Sequence, residues 1–317
     1  MLAAIALAAT LAQTRDAYLA HIGPISRLTG RDVAFDYVVR LNDDIEALSA
    51  AAPYATRIAT LDDDVVAQYV ANAPHPLGQI RGFGSTLIRA SSDATLQPVV
   101  VYVPASYDPK HPAPLVIFLH GRLQTESQLL AKPDFARLAE STGSIVVAPY
   151  GRGYYDFHTD ATTDIYDALA AAKTAFAIDP HRQYLAGYSM GGFSIFEVGV
   201  VHPADWAALL CVSGGLFDDD DAKAVVRELH PVPLYVVTGK NDADIPTTYT
   251  TQSAGFLRFS GMPVSYYQQS DGTHRLETLS PILEAAWNDM HRGIVRESPA
   301  GFALTAAPPK PPSGFKP

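Results

Sequence analysis

One cysteine, Cys211, is all the thiol chemistry the chain carries, so no intrachain disulfide can form and a disulfide-stapled secreted scaffold is excluded. It stands in the apolar run Leu209, Leu210, Cys211, Val212, where a thiol reads as a small buried hydrophobe and not as a nucleophile. Charge is also scarce: only 18% of residues are Asp, Glu, Lys or Arg, against 48% hydrophobic, which excludes a disordered chain and a solvated coiled coil. Basic residues are the scarcer sign, 23 against 33 acidic, and a net charge of −10 opposes binding to phosphate backbones or anionic lipid. Nucleic acid and membrane are therefore not expected partners. No apolar stretch reaches the roughly 18 residues that span a bilayer, and no internal repeat is present.

What remains is 317 residues with ample apolar material for a core, enough for one large domain or two small ones. Residues 1–12, MLAAIALAATLA, have the apolar run and terminal small residue of a secretory signal but lack its basic start. They read as a signal, giving a secreted or periplasmic protein, or as an ordinary N-terminal helix, which leaves the cytoplasm open. Residues 13–78 show helical spacing, as in Val38, Leu41, Ile45 and Leu48, and no strand-like run. This segment reads as a helical cap or brace. Residues 79–294 form the main domain, and residues 295–317, rich in proline and glycine, read as an unstructured tail.

Within the main domain, strand-like runs at Ser85–Ala90, Val99–Val103 and Leu115–Leu119 give way to strand–helix alternation. Strands are expected at Ile145–Ala148, Tyr184–Tyr188, Ala208–Val212, Leu234–Val237 and Val264–Gln268. Helices are expected near 163–177, 191–202, 247–259 and 276–292. Continuous apolar strands between helices predict an α/β fold, with a mostly parallel central sheet covered by helices.

Gly187-Tyr188-Ser189-Met190-Gly191 is a GxSxG sequence placed between a strand, RQYLAGY, and a helical pattern, GFSIFEVGVV. Glycines suit the close backbone approach of a sharp turn around a strained serine. Ser189 is the candidate nucleophile; a plain serine helix cap after a glycine turn is the alternative. A serine hydroxyl needs a base and an orienting carboxylate. The strand PLYVVTG leads to Asp242, the candidate acid, with Asp244 as rival in the same loop. Turn chemistry alone also places aspartates there. The strand VSYYQQ leads to His274, the candidate base; the other histidine beyond Asp242, His291, falls in the last helix.

Acyl chemistry also needs N–H groups aimed at a developing oxyanion. The Met190 amide follows the serine, and a second donor is expected from the loop after PLVIFLH, at Arg122 or, failing that, Gly121.

With the order Ser189, Asp242, His274, the His120-Gly121 loop and the alternation together, the chain resembles the α/β-hydrolase superfamily over about residues 97–292. The stretches PLVIFLHGRLQTESQ, AIDPHRQYLAGYSMGG and HPADWAALLCVSGG resemble most the branch holding polyhydroxybutyrate depolymerase-like, feruloyl and acetylxylan esterases. The resemblance implies a serine carboxylic-ester hydrolase that needs no cofactor and acts on a small or polymer-derived ester. Prolyl-oligopeptidase-type peptidases share the serine turn and the loop order, and a non-catalytic binding protein of the same fold is the reading from a different class.

Tyr150, Tyr154, Tyr155 and Phe157 cluster with glycines after a strand and read either as a substrate pocket or as loop packing. His158, Asp160 and Asp164 lack metal-ligand spacing and read as a loop with an acidic helix start, so no metal is expected. Asp218–Asp221 reads as a solvated loop or a cation-binding edge. Composition does not address the oligomeric state.

Overall fold

The computed structural model describes residues 5–16, 20, 41, 42, 44, 45, 54–153, 157–297, 299 and 302–310. Among these, the strands are β1 (Gly82–Arg89), β2 (Leu96–Val103), β3 (Ala113–Leu119), β4 (Ile145–Pro149), β5 (Ile178–Tyr188), β6 (Ala208–Val212), β7 (Leu234–Gly239) and β8 (Val264–Gln269). The helices are α1 (Ala55–Ala71), α2 (Glu126–Leu130), α3 (Pro133–Thr142), α4 (Asp160–Ala175), α5 (Met190–Val201), α6 (Asp219–Glu228), α7 (Thr247–Phe259) and α8 (Leu276–Arg292). A further helical stretch covers residues 5–16.

The chain divides into two compact units: Met1–Pro112 with Leu123–Ala177, and Ala113–Arg122 with Ile178–Pro317. This division cuts through the region expected as one main domain, because residues 79–112 belong with the N-terminal segment.

In the second unit, β3, β5, β6, β7 and β8 pair in that order, all parallel. Every residue of β3, β6 and β7 is buried, as expected of parallel strands with both faces covered. Helix α5 packs on β3, β5 and β6, and α8 on β6, β7 and β8. Helix α8 carries the fully buried Trp287 and stops at Gly293, whose φ of 66° is the left-handed cap that glycine adopts at least cost. Parallel pairing puts the carboxyl ends of all five strands on one edge, the edge where such sheets bind ligands.

Two expectations need correcting in this unit. The acidic run is neither a loop nor a cation edge: the Asp218 side chain accepts from the Asp220 and Asp221 amides and starts α6, with three more carboxylates in its first turn. Nor is the tail unstructured where it is described. The Arg296 amide donates to Ser265 Oγ at 2.8 Å, and the Phe302 ring lies 4.8 Å from that of Tyr266. A Cβ at Gly255 of α7 would meet the Ala303 carbonyl oxygen at 2.3 Å. An aromatic ring contact and a close backbone approach hold this segment on α7 and β8, despite its prolines.

In the first unit, β2 pairs antiparallel with both β1 and β4. Helix α1 packs on β1 and β2 through a cluster that joins Ile58 and Val65 to Leu87, Ala131, Leu11 and Leu41. Leu11 is 1% exposed, so part of the stretch expected as a signal forms core in this unit. Buried polar bonds add to the docking: Thr125 Oγ1 donates to Asp44 at 2.7 Å and Ser127 Oγ to Asp62 at 2.9 Å. Val38 and Leu48 of the expected helical spacing lie outside the described residues.

Candidate active site

Strand β5 is buried from Gln183 to Gly187 and ends at Tyr188, and the chain turns at Ser189 into α5. Ser189 has φ 53° and ψ −117°, a region that costs a side-chain-bearing residue about 1–3 kcal/mol. The turn is closed by main-chain bonds from the Ser189 amide to Val212 O at 2.9 Å and from the Gly191 amide to His120 O at 3.1 Å. Its glycines are sterically required. A Cβ at Gly187 would meet Gly191 O at 2.1 Å, and one at Gly191 would meet Leu119 O at 2.4 Å.

The Ser189 side chain makes no cap bond to α5, which removes the plain helix-cap reading. Its Oγ lies 2.9 Å from Nε2 of His274. His274 Nδ1 is 2.9 and 3.1 Å from the two carboxylate oxygens of Asp242. A carboxylate only accepts, so Nδ1 carries the proton and the Nε2 lone pair faces the serine hydroxyl.

Asp242 also accepts from the amides of Asp244 at 3.1 Å and Ile245 at 2.8 Å, and its side chain has no exposed surface. The rival Asp244 is exposed and serves Asp242 through its backbone. The acid and histidine loops press together: the Asn241 amide bonds Gly272 O at 2.8 Å, and a Cβ at Gly239 would meet the Gly272 carbonyl carbon at 2.4 Å.

Gly121 lies against the serine turn, where an added Cβ would come within 3.3 Å of Ser189 Cβ. Arg122 follows it and is exposed. Met190 is the first residue of α5, so its N–H has no acceptor within the helix. Beneath the turn, the Cys211 thiol donates to Gly192 O, and burial pushes its pKa up to about 12, which keeps it inert.

The expected pocket residues fare differently. Tyr154 and Tyr155 lie outside the described residues. Phe157 is fully buried, and its ring occupies the space where a Gly151 Cβ would sit, 2.1 Å away, so it is a packing residue without a face for substrate. Tyr150 is likewise buried, at 5% exposure. Asp160 opens α4 and Asp164 grips the Arg152 guanidinium at 2.5 and 2.9 Å. Among the described residues no group of three His, Cys, Asp or Glu is placed to hold a metal.

Sequence reasoning passed over Tyr188, the residue between Gly187 and Ser189. Its hydroxyl donates to the main-chain carbonyl of His274, and the two rings lie 5.2 Å apart.

No family model matches the chain. It is 30% identical over 147 residues to a bifunctional acetylxylan esterase/xylanase of Neocallimastix patriciarum, a match covering 45% of this chain and 21% of that protein. It is 23% identical over 224 residues to feruloyl esterase C of Emericella nidulans, covering 66% of this chain and 80% of that one. The chain thus spans about a fifth of the first relative's length. Among solved structures, a ferulic acid esterase of Anaeromyces mucronatus superposes with a TM-score of 0.53 at 16% identity, over 69% of this chain and 90% of that one. The chain has the α/β-hydrolase fold.

Proposed function

We propose that the chain is a serine carboxylic-ester hydrolase. The observation that carries this reading is the relay in which Ser189 Oγ, 2.9 Å from His274 Nε2, is backed by a buried Asp242 on Nδ1. Ser189 attacks the ester carbonyl while His274 takes its proton. Asp242 holds the imidazole and stabilises the imidazolium that forms. The oxyanion meets the Met190 amide and a second amide from Arg122, with Gly121 as the alternative donor. Collapse expels the alcohol, which receives the proton from His274, and leaves an acyl group on Ser189. Water, activated by the same histidine, then releases the acid.

The names of the relatives support acetylated xylan or feruloyl esters as the substrate class. The test is hydrolysis of chromogenic esters, from acetyl to long acyl and cinnamoyl, by the wild-type chain and by Ser189→Ala, with stoichiometric phosphonate labelling alongside. Turnover and labelling that vanish together in the alanine variant support the reading. An amide cleaved as fast as its matched ester moves the reading to a peptidase, and a wild-type chain that neither turns over nor labels refutes it.

A further inference from the structure

Tyr188 touches three parts of the site at once. By chain it adjoins Ser189, and its backbone is set by the β5–β6 register, where it lies opposite Val212. One side of its ring lies against the Gly121 loop, since a Cβ at Gly121 would meet Tyr188 Cδ1 and Cε1 at 3.0 Å. The His274 ring lies 5.2 Å away at 35°, and the Tyr188 hydroxyl donates to the His274 carbonyl.

The histidine needs such a hold. It sits five residues beyond the end of β8, and loop backbone is the most mobile part of a scaffold. Asp242 fixes only the ring, through Nδ1. The Thr273 amide bonds Thr278 Oγ1 at 2.9 Å, which restrains the preceding residue. The carbonyl of His274 itself is held by Tyr188. Burial raises the phenol's pKa well above its ordinary value, so it remains a donor through the working pH range.

We infer that Tyr188 is a positioning residue: its hydroxyl locks the His274 backbone so that Nε2 stays on Ser189 Oγ, and its ring spaces the histidine from the Gly121 loop. The inference rests on the esterase reading above. A misplacement near 1 Å can cost about 100-fold in rate, so a single lost tether should cost about 10-fold. The cost should fall on kcat, because the tether acts on the reacting atoms and not on substrate binding.

The experiment compares the 317-residue wild-type chain with Tyr188→Phe, at a temperature where both are folded by circular dichroism. Expected is a kcat lowered about 10-fold with KM within twofold. Proton NMR at low temperature gives a readout independent of turnover: the downfield resonance of the His274 Nδ1 proton, assigned by its loss in Asp242→Ala, should broaden or vanish in Tyr188→Phe. An unchanged kcat, or a change confined to KM, overturns the inference, and so does a resonance as sharp as in the wild type. Absence of any wild-type ester turnover is a failure of the functional reading instead, and the NMR comparison still decides the tether.

Discussion

Asp242 meets His274 through both carboxylate oxygens, 2.9 and 3.1 Å from Nδ1, on a side chain with no exposed surface. Two backbone amides fix the same carboxylate from behind. Replacing it by an amide offers Nδ1 a donor as readily as an acceptor and so favours the wrong tautomer. Asp242→Asn should lower kcat/KM by about 10⁴-fold. Asp244→Asn should stay near the wild-type value, because Asp244 contributes through its main-chain N–H. Steady-state kinetics on one chromogenic ester checks both, and the opposite ranking would make Asp244 the acid.

The strained turn gives a prediction about stability. Ser189 sits at φ 53°, where glycine alone is unstrained. Ser189→Ala and Ser189→Gly both lose the nucleophile, yet only the glycine also relieves the backbone. The glycine variant should exceed the alanine variant in stability by about 1 kcal/mol, or about 2 °C in melting temperature. Equal melting temperatures would show that the turn stores no strain.

How far these features were legible depended on whether the signal was local. Strand β6 and helices α7 and α8 fall at their expected residues, since short continuous apolar runs and long periodic stretches are local signals. Helix α2 has five residues, too few for a period of 3.6 to show, and the run Asp218–Asp221 looks like a loop until Asp218 is seen capping α6. Ser189, Asp242 and His274 could be named from their order and their places after strands. Tyr188 could not, because a hydroxyl reaching a carbonyl 86 residues away leaves no pattern in the sequence. Phe157 was misplaced for a related reason: an aromatic beside glycines looks alike whether it lines a cleft or fills the space over Gly151.

Acid should weaken the fold through a residue outside the site. His291 lies in α8 with Tyr184 and Trp287 rings 4.6 and 4.9 Å away, and its Nδ1 donates to Trp287 O. Burial pushes its pKa down to about 4 from an ordinary value of 6.5. Between those pH values the unfolded chain binds a proton that the folded chain refuses, so stability falls as pH drops. It is fully present above the unfolded pKa and loses about 3 kcal/mol by the folded one. Urea melts from pH 7 to 4 should show this slope, and His291→Gln, which keeps a donor for Trp287 O, should flatten it. An unchanged slope would assign the acid sensitivity elsewhere.

The N-terminal segment supplies the last prediction. Leu11, Leu41, Ile58 and Val65 are each at most 1% exposed and share one cluster with Leu87 of β1. Burying an aliphatic side chain of this size contributes about 1.5–3 kcal/mol, so the four together contribute about 6–12 kcal/mol. That is comparable to the whole net stability of a typical domain, about 5–15 kcal/mol. A chain of residues 79–317 would uncover Leu87 and should aggregate on expression. Leu11→Ala is the milder probe. It leaves a cavity costing about 2–4 kcal/mol, and it lies in a different compact unit from Ser189, Asp242 and His274. Its melting temperature should drop while kcat and KM for an ester, measured below that temperature, stay unchanged. A Leu11→Ala chain as stable as the wild type would mean that residues 5–16 contribute nothing to the core. A soluble 79–317 fragment with altered chain-length preference would make the segment a cap over the substrate instead of part of the core.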